Sequence, residues 1–291
     1  RMNLESFLYR CFFGLFVSLG LLNPACSGEE VVPRTVHDIL AAIDQLPVDH
    51  AQLAAARAVL DTPVPEGLNR TDLANFHHKR GRAAMELGMV GAQLTELRKA
   101  MDLGGGAYPW QVLQELAIAE YLAGNFRSAI DLTMKSQINA TQSRMGGAVF
   151  GNGTLLSTLY LRLGDMETAL RHARDADAQL TLLKRWSGWP DYESSWLSSA
   201  NNMFGRIDMS AGRLADAEAR FRRALDYAKR DVPFAEIRLS RYPQAPPKVT
   251  VENKVDYAEL SLIDALVAQS RLAEAELHAR YLVKRAIERT G

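Results

Sequence analysis

The sequence has 291 residues, enough for one large domain or two modest ones. Hydrophobic residues at 47% and charged residues at 23% exclude wholesale disorder. Thirty-four basic residues balance thirty-four acidic ones, so no global field draws the chain to nucleic acid or anionic lipid, and neither is expected as a partner.

Residues 1–27 stand apart. Arg1 and Arg10 flank a polar start, Cys11 to Leu22 form an apolar run, and small residues follow, a pattern that reads as a secretory signal peptide cut between Ser27 and Gly28. As a helix the run covers about 18 Å against the roughly 30 Å of a hydrocarbon core, so no stable membrane insertion is expected after cleavage. A buried N-terminal helix and a lipid anchor on Cys26 stay open as alternatives, although Asn23 and Pro24 suit a lipoprotein signal poorly. Export would put the protein in the periplasm or outside the cell. Both cysteines, Cys11 and Cys26, fall within the signal, so the mature chain would hold no disulfide.

Beyond residue 34 apolar positions recur three and four apart, as at Ile39, Leu40, Ile43 and Leu46, and no segment alternates for long as a strand does. Breaks fall at Pro47, Pro63–Pro65, Gly104–Gly106, Pro190 and the Pro233–Pro247 stretch. An all-α fold follows. Residues 28–70 are expected to supply N-terminal helices that cover the end of an array occupying 71–291.

The array is read from an internal pattern. In Gly212-Arg-Leu214-Ala-Asp-Ala217 a turn residue is followed by a hydrophobe two later and a small residue five later, with Phe221 and Ala224 beyond. Gly124-Asn-Phe126 with Ala129, and Gly164-Asp-Met166 with Ala169, repeat it. Ser270-Arg-Leu272 with Ala275 substitutes Ser for Gly, and Gly88-Met-Val90 has Gln93 where Ala is expected. Seven residues before each turn a small residue recurs at Gly81, Ala117, Ser157 and Gly205; Ile263 departs from the rule.

These offsets resemble the tetratricopeptide repeat, in which two antiparallel helices, A and B, form each unit and units stack into a superhelix. Turn residues at 88, 124, 164, 212 and 270 are 36, 40, 48 and 58 residues apart, against a family repeat of about 34, so about five irregular repeats are expected. The excess is assigned to longer helices and to two inserts, Arg185–Ser195 and Arg230–Thr250. The absence of a further solvating helix after Leu272–Arg289 is expected to mean that the chain continues into something longer.

Sites of chemistry are sparse. The sequence lacks G-x-x-x-x-G-K-[ST], H-E-x-x-H, G-x-S-x-G and G-x-G-x-x-G. Gly104–Gly106 follows a helix rather than a strand and reads as a helix stop. His77 and His78 are adjacent, so on a helix they point about 100° apart and do not share a metal. Carboxylates such as Asp216, Glu218, Asp226 and Glu274 alternate with arginines as solvated faces do. No cofactor, metal or catalytic residue is expected.

The resemblance implies that helix A lines a concave groove for a protein or peptide partner. The groove-facing positions of the family fall on Asn75, His78 and Arg82, on Gln114 and Tyr121, on Thr154 and Thr158, and on Asn202 and Arg206. Amides and guanidinium groups there could pair with an extended backbone or a carboxylate. Trp186, Trp189, Tyr192 and Trp196 serve either a partner or the packing of the first insert. The implied function is a non-enzymatic protein–protein interaction scaffold. The alternative is the regulatory or sensing front of a larger enzyme, such as an exported peptidase of the CHAT type, none of whose catalytic residues has a counterpart here.

Overall fold

The computed structural model describes residues 50–106, 109–242, 245 and 248–290. The signal peptide and the covering helices expected before residue 50 lie outside the described residues, except for α1 (His50–Asp61). Next come α2 (Arg70–Glu86) with α3 (Val90–Asp102), α4 (Pro109–Leu122) with α5 (Phe126–Gln142), and α6 (Gly146–Arg162) with α7 (Met166–Leu183). The fourth pair is α8 (Trp189–Ser210) with α9 (Leu214–Asp231). A 3-10 turn (Val232–Phe234) and the short α10 (Ala235–Arg241) then lead to α11 (Lys248–Ala268) and α12 (Leu272–Thr290). No strand occurs among the described residues.

All five turn residues named from spacing adopt the left-handed backbone: Gly88, Gly124, Gly164 and Gly212 at φ 68°, 82°, 77° and 74°, and Ser270 at 59°. Each closes a helix by the same pair of bonds. Gly88 N–H donates to the Met85 carbonyl at 3.0 Å, and Met89 N–H to the Ala84 carbonyl at 2.8 Å, the Schellman arrangement that satisfies carbonyls left open at a helix end. The same bonds occur at Gly104 and Arg144, which join one pair to the next. A Cβ added at Gly212 meets nothing within 4 Å, so substitution there carries only backbone strain. Gly212→Ala is expected to cost about 1–2 kcal/mol, and Ser270→Gly to add about 1 kcal/mol, in urea unfolding. Opposite signs would mean that the turns are not left-handed in solution.

The small residue of helix A works as the spacing requires, in partnership with the residue sixteen later on helix B. A Cβ on Gly81 would lie 2.8 Å from Leu97 Cδ2, and one on Gly205 would lie 2.5 Å from Phe221 Cε1. Ile263 breaks the rule because its partner is Ala279, packed against the same cluster, so the large and small members of the pair exchange places. A second exchange occurs among polar residues. His77 Nδ1 lies 2.7 Å from Glu96 Oε2 in the first pair, and His278 Nδ1 lies 2.6 Å from Glu259 Oε1 in the last, at matching offsets from the turn with the residue types swapped. Burial alone pushes the Glu96 carboxyl up, but hydrogen bonds from His77 and Lys99 and the charge of Arg80 outweigh it and hold it below its ordinary value. The stability this carboxylate supplies is therefore present at neutral pH and lost as acid protonates it.

The core is a string of seams. Leu97 and Ala100 of α3 meet Val112 and Leu116 of α4; Ile130 of α5 meets Leu156 and Leu159 of α6. Phe150, Leu180, Met203 and Ile207 join α6, α7 and α8, and Phe221, Leu225, Leu262 and Leu266 join α9 to α11. Each pair buries its apolar stripe only against neighbours, as stacked repeats do.

Candidate functional site

The first helices of the pairs (α2, α4, α6, α8 and α11) form a continuous face, bridged side chain to side chain. His78 Nε2 on α2 lies 2.8 Å from Glu115 Oε2 on α4, and Gln114 Nε2 on α4 donates to Asn152 Oδ1 on α6 at 3.2 Å. Trp196 of α8 covers Gly147 of α6, where a Cβ would stand 3.1 Å from its ring. Asn202 Nδ2 on α8 donates to Ser261 Oγ on α11 at 3.2 Å.

Of the residues assigned to the groove, several are committed internally. Asn202 is 8% exposed, and its Oδ1 accepts from Arg206 Nε at 3.0 Å; it positions a neighbour rather than presenting an amide. Thr154 and Thr158 return their hydroxyls to their own helix, to the carbonyls of Gly151 and Thr154 at 2.7 and 3.0 Å. Arg82 is exposed, with Nε 3.8 Å from Glu115 Oε1. Asn75 is exposed and sits over Gly106, where even a methyl group would collide with its Oδ1. Tyr121 is half-buried against Phe126.

Spacing extends the face further than the nine residues named from the sequence. Three residues before each turn stand Met85, Tyr121, Leu161, Met209 and Val267, an apolar row along one edge, with Met85 45% exposed. Thirteen and six before the fifth turn stand Tyr257 and Asp264, and the same offsets that mark Asn75 and Arg82 before the first turn identify both. Glu115 and Ser261 carry no such mark, because the offsets select outward positions and these two are defined by their partners.

The electrostatics of the face centre on α8 and α11. Arg206 lies over the Tyr257 ring, 4.7 Å from its centroid. Asp264 is exposed, yet neighbouring protein displaces part of the bulk water around it. This loss of bulk water pushes its carboxyl up to about 6, although Arg206 and Arg162 pull the other way.

The aromatic residues of the first insert pack against the second. Tyr192 stacks on Trp196 at 5.1 Å, and Tyr242 lies 5.6 Å from Tyr192 and 6.0 Å from Trp186. Arg241 Nη1 reaches Asp191 Oδ1 at 2.7 Å, and Lys254 Nζ donates to Ser195 Oγ at 2.6 Å. The two inserts thus form one junction. Glu218, Arg222, Arg271 and Glu274 pair among themselves at the last turn. Among the described residues no group of three or more His, Cys, Asp or Glu could hold a metal, and no helix is long and apolar enough to cross a membrane.

Stacked antiparallel helix pairs closed by one recurrent turn define a helical-repeat solenoid. Its type is tetratricopeptide-like: the chain is all-α, built of adjacent pairs with a small residue at each crossing. Neither a protein-family model nor a curated protein matches the sequence. Among solved structures, the apo form of RapI is 12% identical over 87% of this chain and 93% of its own, with a TM-score of 0.50. BtubC (BKLC) from P. vanneervenii is 14% identical over 86% of this chain and 91% of its own, with a TM-score of 0.48. A kinesin light chain with nearly identical TPR-like repeats from Podosopora anserina is 15% identical over 76% and 96%, with a TM-score of 0.45. At such identities the likeness concerns the fold.

Proposed function

We propose that this chain is a non-enzymatic scaffold that holds a protein partner, as an extended segment, along the face of α2, α4, α6, α8 and α11. The observation that carries this reading is the two-tone character of that face, an apolar row from Met85 to Val267 beside a polar floor whose side chains are held by neighbours. An extended peptide offers the matching pattern, backbone polar groups with alternate side chains to seat. The test is photo-crosslinking in the source cell from a benzoylphenylalanine at Thr158 on the face and, separately, at the exposed Asp175 on α7. A discrete adduct from Thr158 and none from Asp175 is expected; equal yields would overturn the reading.

Export, with cleavage before Gly28, is part of the same proposal and rests on the sequence of residues 1–27. N-terminal sequencing of the extracytoplasmic protein is expected to begin at Gly28, and an intact Met2 start in the cytosol would refute it.

A further inference from the structure

We propose that Arg206 is the anion seat of this face. It receives the side-chain carboxylate of an extended peptide segment whose neighbouring apolar residue rests on Leu161 and Met209, with Asp264 as the resident competitor for the seat. The proposal rests on the scaffold reading above and names the chemistry of the partner.

The two arginines assigned to the groove differ in their company. Arg82 faces Glu115, which His78 also contacts, so the charge of Arg82 is answered within the chain. The close contacts of Arg206 are to neutral groups: Asn202 Oδ1 accepts from its Nε at 3.0 Å, Ser261 Oγ lies 3.5 Å from its Nη2, and Tyr257 lies beneath it, while the carboxylate of Asp264 acts on it by charge. These contacts fix the guanidinium plane without neutralising it. A half-buried, preorganised fork of this kind recognises a carboxylate at small entropic cost. Asn202 is nearly fully buried and Ser261 donates to the Tyr257 carbonyl at 3.0 Å, so the support is itself anchored. One turn along α8 stands Met209, and Leu161 holds the same offset from its turn on α6, which gives the adjoining side chain of a peptide an apolar rest.

Asp264 sets the pH response. Arg206 from α8 and Arg162 from α6 are the charges that act on it. Several other charges on α11 and the helices packed against it are paired elsewhere. Glu218 pairs with Arg222 and Arg271 at the turn, and His278 and Arg285 pair with Glu259 on another face. Asp231 pairs with Arg238 near the start of α11. As pH falls through about 6, Asp264 loses its charge and ceases to compete, while a peptide carboxylate of ordinary pKa stays ionised. Binding should therefore tighten toward acid.

The experiment is selection of a random peptide phage library on the full chain and on Arg206→Gln. Peptides carrying Asp or Glu beside an apolar residue are expected from the native chain, and no acidic preference from the variant. The best acidic peptide, synthesised with blocked ends, should bind Arg206→Gln at least about ten-fold more weakly. Asp264→Asn should bind it about three-fold or more tightly at neutral pH and lose the acid-dependent gain. That increase cannot come from misfolding. Selected peptides without acidic residues, equal binding by Arg206→Gln, or no gain in Asp264→Asn would overturn the proposal. Failure to select any peptide on the native chain would instead count against the scaffold reading itself.

Discussion

Arg238→Met is expected to lower stability by about 3–5 kcal/mol, the largest effect of any single substitution considered for this chain. Arg238 and Asp231 are each 1% exposed and form a two-point ion pair, with Nη2 donating to Asp231 Oδ2 at 3.1 Å. Arg238 also donates from Nη1 to the Asp191 carbonyl at 2.9 Å and lies 5.3 Å from the Tyr192 centroid, so it ties α10 to the start of α8. Methionine fills much of the volume but leaves a carboxylate buried without its partner, which is the costly half of any buried pair. Lys254 is a further cation that acts on Asp231. Burial pulls its ammonium down, the charge of Asp231 supports it, and Arg238 opposes it. The double variant Asp231→Leu with Arg238→Met removes both charges and should recover most of the loss. Urea unfolding followed by tryptophan fluorescence reads the junction directly, since Trp186, Trp189 and Trp196 all stand in or beside it. A loss below about 1 kcal/mol, the range of an exposed pair, would mean that water reaches the pair.

Gly205→Val is expected to cost about 3 kcal/mol, at the upper end of ordinary overpacking. The added Cβ alone would stand 2.5 and 2.8 Å from Phe221 Cε1 and Cδ1. Phe221 is 2% exposed within the cluster joining α9 to α11, so its ring cannot swing into solvent. The helix-propensity gain over glycine offsets part of this cost, by less than about 1 kcal/mol. Phe221→Ala alone should also destabilise, by opening a cavity. In combination with Gly205→Val it should recover stability, because the pair then approaches the Ile263–Ala279 arrangement of the next repeat. Additive losses in the double variant would mean that the two side chains do not meet.

The turns were legible because their demand is local. A left-handed residue ends helix A whatever surrounds it, and Gly88, Gly124, Gly164 and Gly212 declare that demand in their own identity; Ser270 was found by offset alone. Arg144 makes the same turn and went unread, since a positive φ at an arginine has no signature in residue type. The exchanges between Gly205–Phe221 and Ile263–Ala279, and between His77–Glu96 and Glu259–His278, escaped for a different reason. They conserve a sum over two helices, which no single position reveals.

The groove positions divide along the same line. Spacing assigns Arg82, Gln114, Thr158 and Arg206 to the first helices of successive pairs, where the structure has them, yet it cannot say which of them is already satisfied. Glu115 answers Arg82 at close range, while the close contacts of Arg206 are to Asn202, Ser261 and a ring, and Asp264 acts on it by charge alone. The order of helices, their turns and the faces they share were thus written in the chain, because each depends on periodicity and on the conformational reach of one residue. Tertiary packing alone decided where charge is cancelled and where it is left standing, because an ion pair depends on the distance between side chains far apart in sequence. The same packing joined the two inserts through Tyr192, Tyr242, Arg238 and Asp231, which no repeat pattern connects.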